Sequence, residues 1–152
     1  ITDPNPEKQA MDVLDKIWSM YEICGVSMLD ISVWKWMYAH PDATAEQLKE
    51  ATIALSKEIW NKYYAPVFGV KDETVLAVYS HMISYPLYLS AYAFGQIIEF
   101  QLDQYLEGKD FANEVERIFR QGCLTPNQWI ILATGNPLTV EPMLEAVREV
   151  IK

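Results

Sequence analysis

Residues 81–95 read HMISYPLYLSAYAFG, an apolar stretch that carries one histidine and three tyrosines. After His81 come Tyr85, Tyr88 and Tyr92, at offsets of four, seven and eleven residues. On an α-helix these offsets place all four side chains along one stripe. Imidazole and phenol groups need polar partners when buried, and together they can grip a substrate carbonyl or a developing oxyanion. The spacing alone favours the alternative that these are core aromatics whose polar tips reach water or backbone.

The sequence around this stretch predicts one long helix over residues 74–107. Pro86 lies inside it, and a proline in a helix interior removes a hydrogen bond and bends the axis. The bend is therefore expected between His81 and Tyr92, within the stripe. Gly108 is expected to end the helix.

Further helices are predicted on both sides, separated by capping and breaking residues. Residues 44–47, Thr-Ala-Glu-Gln, have the capping-box pattern, and the preceding His-Pro-Asp at 40–42 ends a helix. Gly25 is expected to interrupt the first helical region. Asp110, Thr125 and Thr139 are the expected helix starts near the end of the chain. The remaining predicted helices are residues 7–23, 28–38, 45–64, 111–120, 126–133 and 140–151. No strand, repeat or linker is indicated, so the sequence predicts an all-α fold, a single domain of roughly seven helices over residues 1–152.

Composition narrows the classes of partner. The chain has 152 residues, a net charge of −9 and a pI near 4.6. A nucleic-acid partner is not expected, because no basic stripe is present to neutralise phosphates. A membrane partner is not expected either, since no apolar run is long enough to span a bilayer. Cys24 and Cys123 are expected to be free, buried thiols rather than a disulfide framework.

Most catalytic motifs are missing from the sequence. A zinc site needs three or four His, Cys, Asp or Glu ligands, and the only histidines are His40 and His81. No H-E-x-x-H motif, phosphate-binding loop or nucleophile elbow occurs. Position 78, three residues before His81, is Val, so the E-x-x-H motif of di-iron bundles is absent as well. The chain alone shows no complete catalytic apparatus.

Short motifs in a fixed order nevertheless resemble a known family. His81 is followed by Tyr85 and Tyr92, seven residues apart, and the tail carries Gly-Cys-Leu-Thr-Pro at 122–126 and Leu-Thr-Val-Glu-Pro at 138–142. This order resembles the C-terminal part of the thimet oligopeptidase and oligoendopeptidase F family of zinc metallopeptidases. The resemblance is clearest from about residue 28 onward. Position 90 is a departure, because it is Ser where related sequences often carry another Tyr.

The resemblance implies roles for the stripe. In the family, zinc is held by an H-E-x-x-H helix and a later Glu, and a downstream His and Tyr contact the substrate. By this resemblance Tyr92 is the first candidate for the oxyanion donor and Tyr85 the second, and both are candidate catalytic residues. His81 would hold the substrate backbone, and Tyr88 joins the other three as a candidate substrate-binding residue without a firm family counterpart.

The chain is therefore expected to be the C-terminal, substrate-binding portion of a larger helical metallopeptidase. Its first residue is Ile, which also suggests a piece of a longer protein. Zinc is the cofactor expected in the parent protein, with no metal ligand and no cofactor in this chain, and a peptide is the expected substrate. The isolated chain is expected to be inactive, and to form a homodimer only through a face exposed by truncation. The alternative is a non-catalytic helical interaction or peptide-binding domain. The sequence does not define the compartment, and the cytoplasm is favoured.

Overall fold

The computed structural model describes residues 5–151, and the regular structure within this range is entirely helical. The predicted all-α fold is confirmed, with eight α-helices in the described range in place of roughly seven. They are α1 (Pro6–Ala39), α2 (Ala45–Tyr63), α3 (Ala65–Phe68), α4 (His81–Ser84), α5 (Ser90–Leu106), α6 (Phe111–Phe119), α7 (Pro126–Thr134) and α8 (Glu141–Val150), together with a 3₁₀ helix at Val75–Val78.

Several helix starts follow from local hydrogen bonds. At α2 the Gln47 N–H donates to Thr44 Oγ1 at 3.3 Å, and the Thr44 N–H donates to Gln47 Oε1 at 2.8 Å, which completes the predicted capping box. Asp110 caps α6 as expected, since its carboxylate accepts from the Asn113 N–H. Thr139 is one residue too early for α8, whose N-cap is Val140, although its hydroxyl accepts from the Glu141 N–H at 3.3 Å.

The predicted interruption at Gly25 is wrong, because α1 continues through it without a break. This glycine is buried and lies against the ring of Tyr64. A Cβ atom at position 25 would stand 2.1 Å from the Tyr64 hydroxyl oxygen. Gly25 is therefore required for a close approach between side chain and helix rather than for ending the helix.

The prediction of one helix over residues 74–107 is also wrong. The 3₁₀ helix, α4 and α5 share this segment, and a turn separates α4 from α5. Pro86 lies in that turn and not inside a helix. The residue before a proline avoids helical backbone angles, and Tyr85 has φ −142° and ψ 67°. Proline therefore ends α4 instead of bending a continuous helix.

The helices group into two compact units. One comprises Ser19–Ala93 and has a core of buried side chains: Val26, Leu29, Ile59, Tyr64, Leu76 and Leu89. The other comprises the described residues of Ile1–Trp18 and Phe94–Lys152, with Ile118, Ile130 and Ala133 buried together. The single domain expected over residues 1–152 stays a prediction. Among the helices of residues 5–151, none has the length and apolar character needed to cross a membrane.

Both thiols are free, but only one of them is shielded from solvent. Cys24 is partly buried, and burial raises the pKa of its thiol. Cys123 is exposed, which corrects the expectation that both cysteines are buried. Cys123 follows Gly122 in the loop before α7.

Tyr64 is expected to make the stability of the Ser19–Ala93 unit fall at alkaline pH. Its hydroxyl donates to the Tyr21 carbonyl oxygen at 2.6 Å, and burial raises its pKa to about 12. The folded chain therefore keeps a proton that the unfolded chain loses near pH 10. Stability from this phenol is present below about pH 10 and is lost as pH rises towards about 12. We expect Tyr64→Phe to be less stable than wild type at pH 8, by about 1 kcal/mol.

Urea titrations of both proteins between pH 8 and pH 12 test this expectation. The difference in unfolding free energy should shrink as pH rises above about 10. A difference that stays constant across this range would show that the Tyr64 proton is not linked to folding. Tyr38→Phe, at an exposed position of the same unit, is the matched control.

Candidate functional site

The structure brings His81, Tyr85, Tyr88 and Tyr92 together into one run of rings, which we call the aromatic ladder. His81 begins α4, Tyr85 and Tyr88 stand at the two ends of the turn, and Tyr92 lies in the first turn of α5. Successive ring centroids are 6.1, 6.3 and 5.4 Å apart, and the last pair meets edge to face. Neighbouring rings at these separations attract one another.

The ladder is a surface feature. The exposed fractions are 63% for Tyr85, 51% for Tyr88 and 46% for Tyr92, while His81 is partly buried. Core packing, which the spacing alone favoured, is therefore wrong for the three tyrosines. The turn between α4 and α5 is the physical reason, because it directs Leu89 into the core and leaves the phenols at the surface.

The turn itself has a defined geometry. The Tyr88 N–H donates to the Tyr85 carbonyl oxygen at 3.2 Å, which closes a four-residue β-turn with Pro86 in second position. Leu87, in third position, has a φ of +62°. Because proline requires a negative φ, this combination corresponds to a type II turn. A hydroxyl hydrogen bond from Ser90 to the Leu87 carbonyl oxygen ties the turn to the start of α5.

The ladder presents hydrogen-bond donors at neutral pH. A hydrogen bond with Tyr88, and then the charge that a Tyr88 phenolate would carry, raise the pKa of Tyr92. Tyr92 thus keeps its proton well above neutral pH. Phenol donors beside aromatic faces suit a ligand that has carbonyl oxygens and apolar groups, as a peptide does.

Sequence reasoning missed two residues at this surface. Tyr79 extends the ladder, with its ring centroid 6.1 Å from that of His81, and its hydroxyl donates to Glu22 Oε1 at 3.1 Å. Asp30 lies beneath the turn and accepts a hydrogen bond from the Leu87 N–H at 2.7 Å. A carboxylate between Leu29 and Ile31 on an apolar stretch of α1 was the available signal for Asp30.

The ladder does not fit a zinc ion. It offers one imidazole and three phenols, whereas zinc sites use three or four His, Cys, Asp or Glu ligands. Within the part of the chain that the structure describes, no group of three or more such side chains is placed to hold a metal. The other histidine, His40, stacks on Trp36, and its Nδ1 lies 2.8 Å from the Trp36 carbonyl oxygen.

A groove of the Ser19–Ala93 unit lies away from the aromatic ladder. It encloses about 670 Å³ between the end of α1 and the start of α2, and its lining includes Trp36, His40 and Glu50. No residue of the aromatic ladder lines it. The exposure of its three tyrosines makes the candidate site an open aromatic surface.

Comparison with protein-family models, curated proteins and solved structures finds no match to this chain.

Proposed function

We propose that the aromatic ladder binds the backbone of a peptide substrate, and that this chain is the C-terminal, substrate-binding portion of a zinc metallopeptidase. The observation that carries the proposal is the shared exposure of Tyr85, Tyr88 and Tyr92 beside His81. Large aromatic side chains exposed together on one surface are typical of a binding site. The motif order supports the choice of peptide as ligand.

Each ladder residue has a proposed part. Tyr92 donates its phenol proton in a hydrogen bond to the oxyanion that forms when the peptide carbonyl is attacked. Tyr85 is the second candidate for this donor, and His81 binds the substrate backbone through a ring nitrogen. The ring of Tyr88 lies between those of Tyr85 and Tyr92. Tyr88 raises the pKa of Tyr92 and offers its own ring face to the ligand.

Zinc would be held by residues outside this chain. A non-catalytic peptide-binding domain would use the same ladder for the same contacts, and the exposure of the tyrosines supports that candidate too. The two candidates differ in whether the longer polypeptide carries zinc ligands and hydrolyses what it binds.

The 152-residue chain is expected to bind extended peptides, and the Tyr85→Ala/Tyr88→Ala double variant is expected to bind them about tenfold more weakly. Two phenols and their ring contacts are lost, at about 0.5–1.5 kcal/mol for each hydrogen bond. Fluorescence anisotropy of a fluorescein-labelled, uncharged octapeptide measures the dissociation constant.

Tyr38→Ala is the matched control for that titration, because Tyr38 is an exposed tyrosine of the same unit that lies outside the ladder. It should bind the octapeptide as wild type does. Equal affinities for wild type, control and double variant would refute the proposed binding surface. Hydrolysis of the octapeptide by the purified chain would refute the proposal that the zinc ligands lie outside this chain.

A further inference from the structure

We propose that Asp30 is a positioning residue for the aromatic ladder, whose buried carboxylate holds the turn that sets Tyr85 and Tyr88 in place. The inference rests on the proposed function, since positioning matters only if the ladder binds a ligand. It names a residue from a distant part of the sequence, 57 positions before the turn that it contacts.

The burial of Asp30 calls for an explanation. Its exposed fraction is 1%, on a part of α1 whose neighbours Val26 and Leu29 belong to the core. Burial raises the pKa of the carboxyl, while hydrogen bonds from the Leu87 N–H and the Trp34 side chain oppose that rise. A buried carboxylate is costly and persists where its hydrogen bonds are needed. One of those two bonds is made to the turn of the ladder.

The turn needs an acceptor at this position. Leu87 has left-handed backbone angles, which a side chain with a Cβ adopts at a cost, and glycine is the usual residue there. The bond that closes the turn uses the Tyr88 N–H, so the Leu87 N–H is left for another partner. Asp30 Oδ2 accepts that N–H at 2.7 Å. The carboxylate therefore stabilises the less favourable form of the turn.

Without this acceptor the turn has a cheaper form. Types I and II differ by a flip of the central peptide, and type I gives the third residue a negative φ that suits leucine. The flip would turn the Leu87 N–H away from position 30. The flip itself leaves the Cα atoms of Tyr85 and Tyr88 nearly in place, because both turn types keep the hydrogen bond between the ends of the turn. The turn would then no longer be tied to α1, and the two rings would lose the 6.3 Å separation seen here as the turn opens. Asp30 thus acts on the ladder through Leu87.

The test uses the full 152-residue chain and the variant Asp30→Leu. Leucine removes the acceptor together with the charge, so the cost of the donors left at Leu87 and Trp34 is offset by a charge that no longer has to be buried. We expect a thermal unfolding midpoint near that of wild type and octapeptide binding about tenfold weaker. Asp30→Asn retains an oxygen that can accept from the Leu87 N–H and should bind within about threefold of wild type.

A second variant separates positioning from a general packing role. Leu87→Gly removes the penalty for left-handed angles, so the turn keeps its form with less help from position 30. The Asp30→Leu/Leu87→Gly chain should therefore recover most of the lost affinity, whereas a packing defect at position 30 would not be repaired by glycine. Ser27→Ala, at another buried polar position of α1, is the control that should leave binding unchanged.

Nuclear Overhauser contacts between the Tyr85 and Tyr88 rings provide a readout that needs no ligand. They should weaken in Asp30→Leu and return in the double variant. If the contacts between the two rings in Asp30→Leu are as strong as in wild type, the inference is overturned, regardless of the affinity for the octapeptide. If wild type shows the ring contacts and does not bind the octapeptide, the proposed function fails, and the response of the contacts to Asp30→Leu still decides whether Asp30 sets the turn.

Discussion

Tyr92→Phe is expected to lower kcat for peptide hydrolysis by on the order of 10²-fold or more, in a polypeptide that carries this chain together with the zinc ligands. The substitution removes one hydroxyl group that, by our proposal, donates to the oxyanion. That bond is stronger in the transition state than with the ground-state carbonyl, so its loss lowers kcat more than it raises KM.

Tyr92→Phe should remove the hydroxyl group without disturbing the surrounding structure. Tyr92 is 46% exposed, and its ring and that of Tyr88 meet edge to face at a centroid distance of 5.4 Å. Phenylalanine keeps that ring contact, so folding should change little. The tyrosine proton is well held, because Tyr88 raises the pKa of Tyr92. Activity lost by Tyr92→Phe at neutral pH would therefore reflect a lost donor and not a lost phenolate.

Steady-state kinetics with an internally quenched peptide measure the effect. Tyr85→Phe should show the same kind of loss to a smaller extent, and Tyr38→Phe, an exposed tyrosine outside the ladder, should match wild type. A non-catalytic helical domain makes a different prediction, namely that Tyr92→Phe changes stability by about 1 kcal/mol and affects no turnover. A kcat within twofold of wild type would remove Tyr92 from the role of oxyanion donor.

The parts of the fold that local chemistry defines were predictable from the sequence. The capping box at Thr44 and the aspartate cap at Asp110 each depend on residues within four positions of one another. The helices that they bound lie within one or two residues of the predicted limits. Helical periodicity then indicated the all-α class.

Contacts between distant parts of the chain account for the errors. Gly25 has the local character of a helix breaker, and only the ring of Tyr64 packed against it explains why a glycine stands inside α1. The turn at Pro86 depends on a left-handed leucine and on an acceptor from α1. The sequence of residues 81–95 could not indicate this acceptor, because Asp30 lies 57 residues before Leu87.

The ladder residues were identified through a geometry that the protein does not have. Their spacing suggested one helical stripe, whereas a short helix, a turn and the start of α5 bring the same rings together. The rings still lie side by side, because Tyr85 and Tyr88 are the two ends of one turn and Tyr92 lies four residues after Tyr88. Exposure could not be predicted, since it depends on which side chain of the turn, Leu89, enters the core.

Gly25→Ala is expected to lower the unfolding free energy by about 3 kcal/mol, the upper part of the range for overpacking a core. The new Cβ would stand 2.1 Å from the Tyr64 hydroxyl oxygen and 2.5 Å from two ring carbons. The ring has little freedom to retreat. Its hydroxyl donates to the Tyr21 carbonyl oxygen, and its face stacks on Trp60 at a centroid distance of 5.3 Å.

Gly95→Ala is the matched control, because Gly95 also lies inside a helix and a Cβ there would have no atom within 4 Å. It should raise stability by about 0.5–1 kcal/mol, since alanine favours the helix interior over glycine. Urea unfolding followed by circular dichroism compares the two variants under one set of conditions. Similar free energies for both variants would show that the ring of Tyr64 moves aside at little cost.

Peptide binding by the Gly25→Ala chain then separates stability from function. Tyr64 belongs to the core of the Ser19–Ala93 unit, whereas by our proposal Asp30 acts on the ladder through the turn. At a temperature where Gly25→Ala is still folded, its affinity for the octapeptide should equal that of wild type. Asp30→Leu should show the reverse, with stability kept and affinity lost. A loss of affinity that follows stability across both variants would mean that the ladder responds to the core as a whole and not to the Asp30 contact.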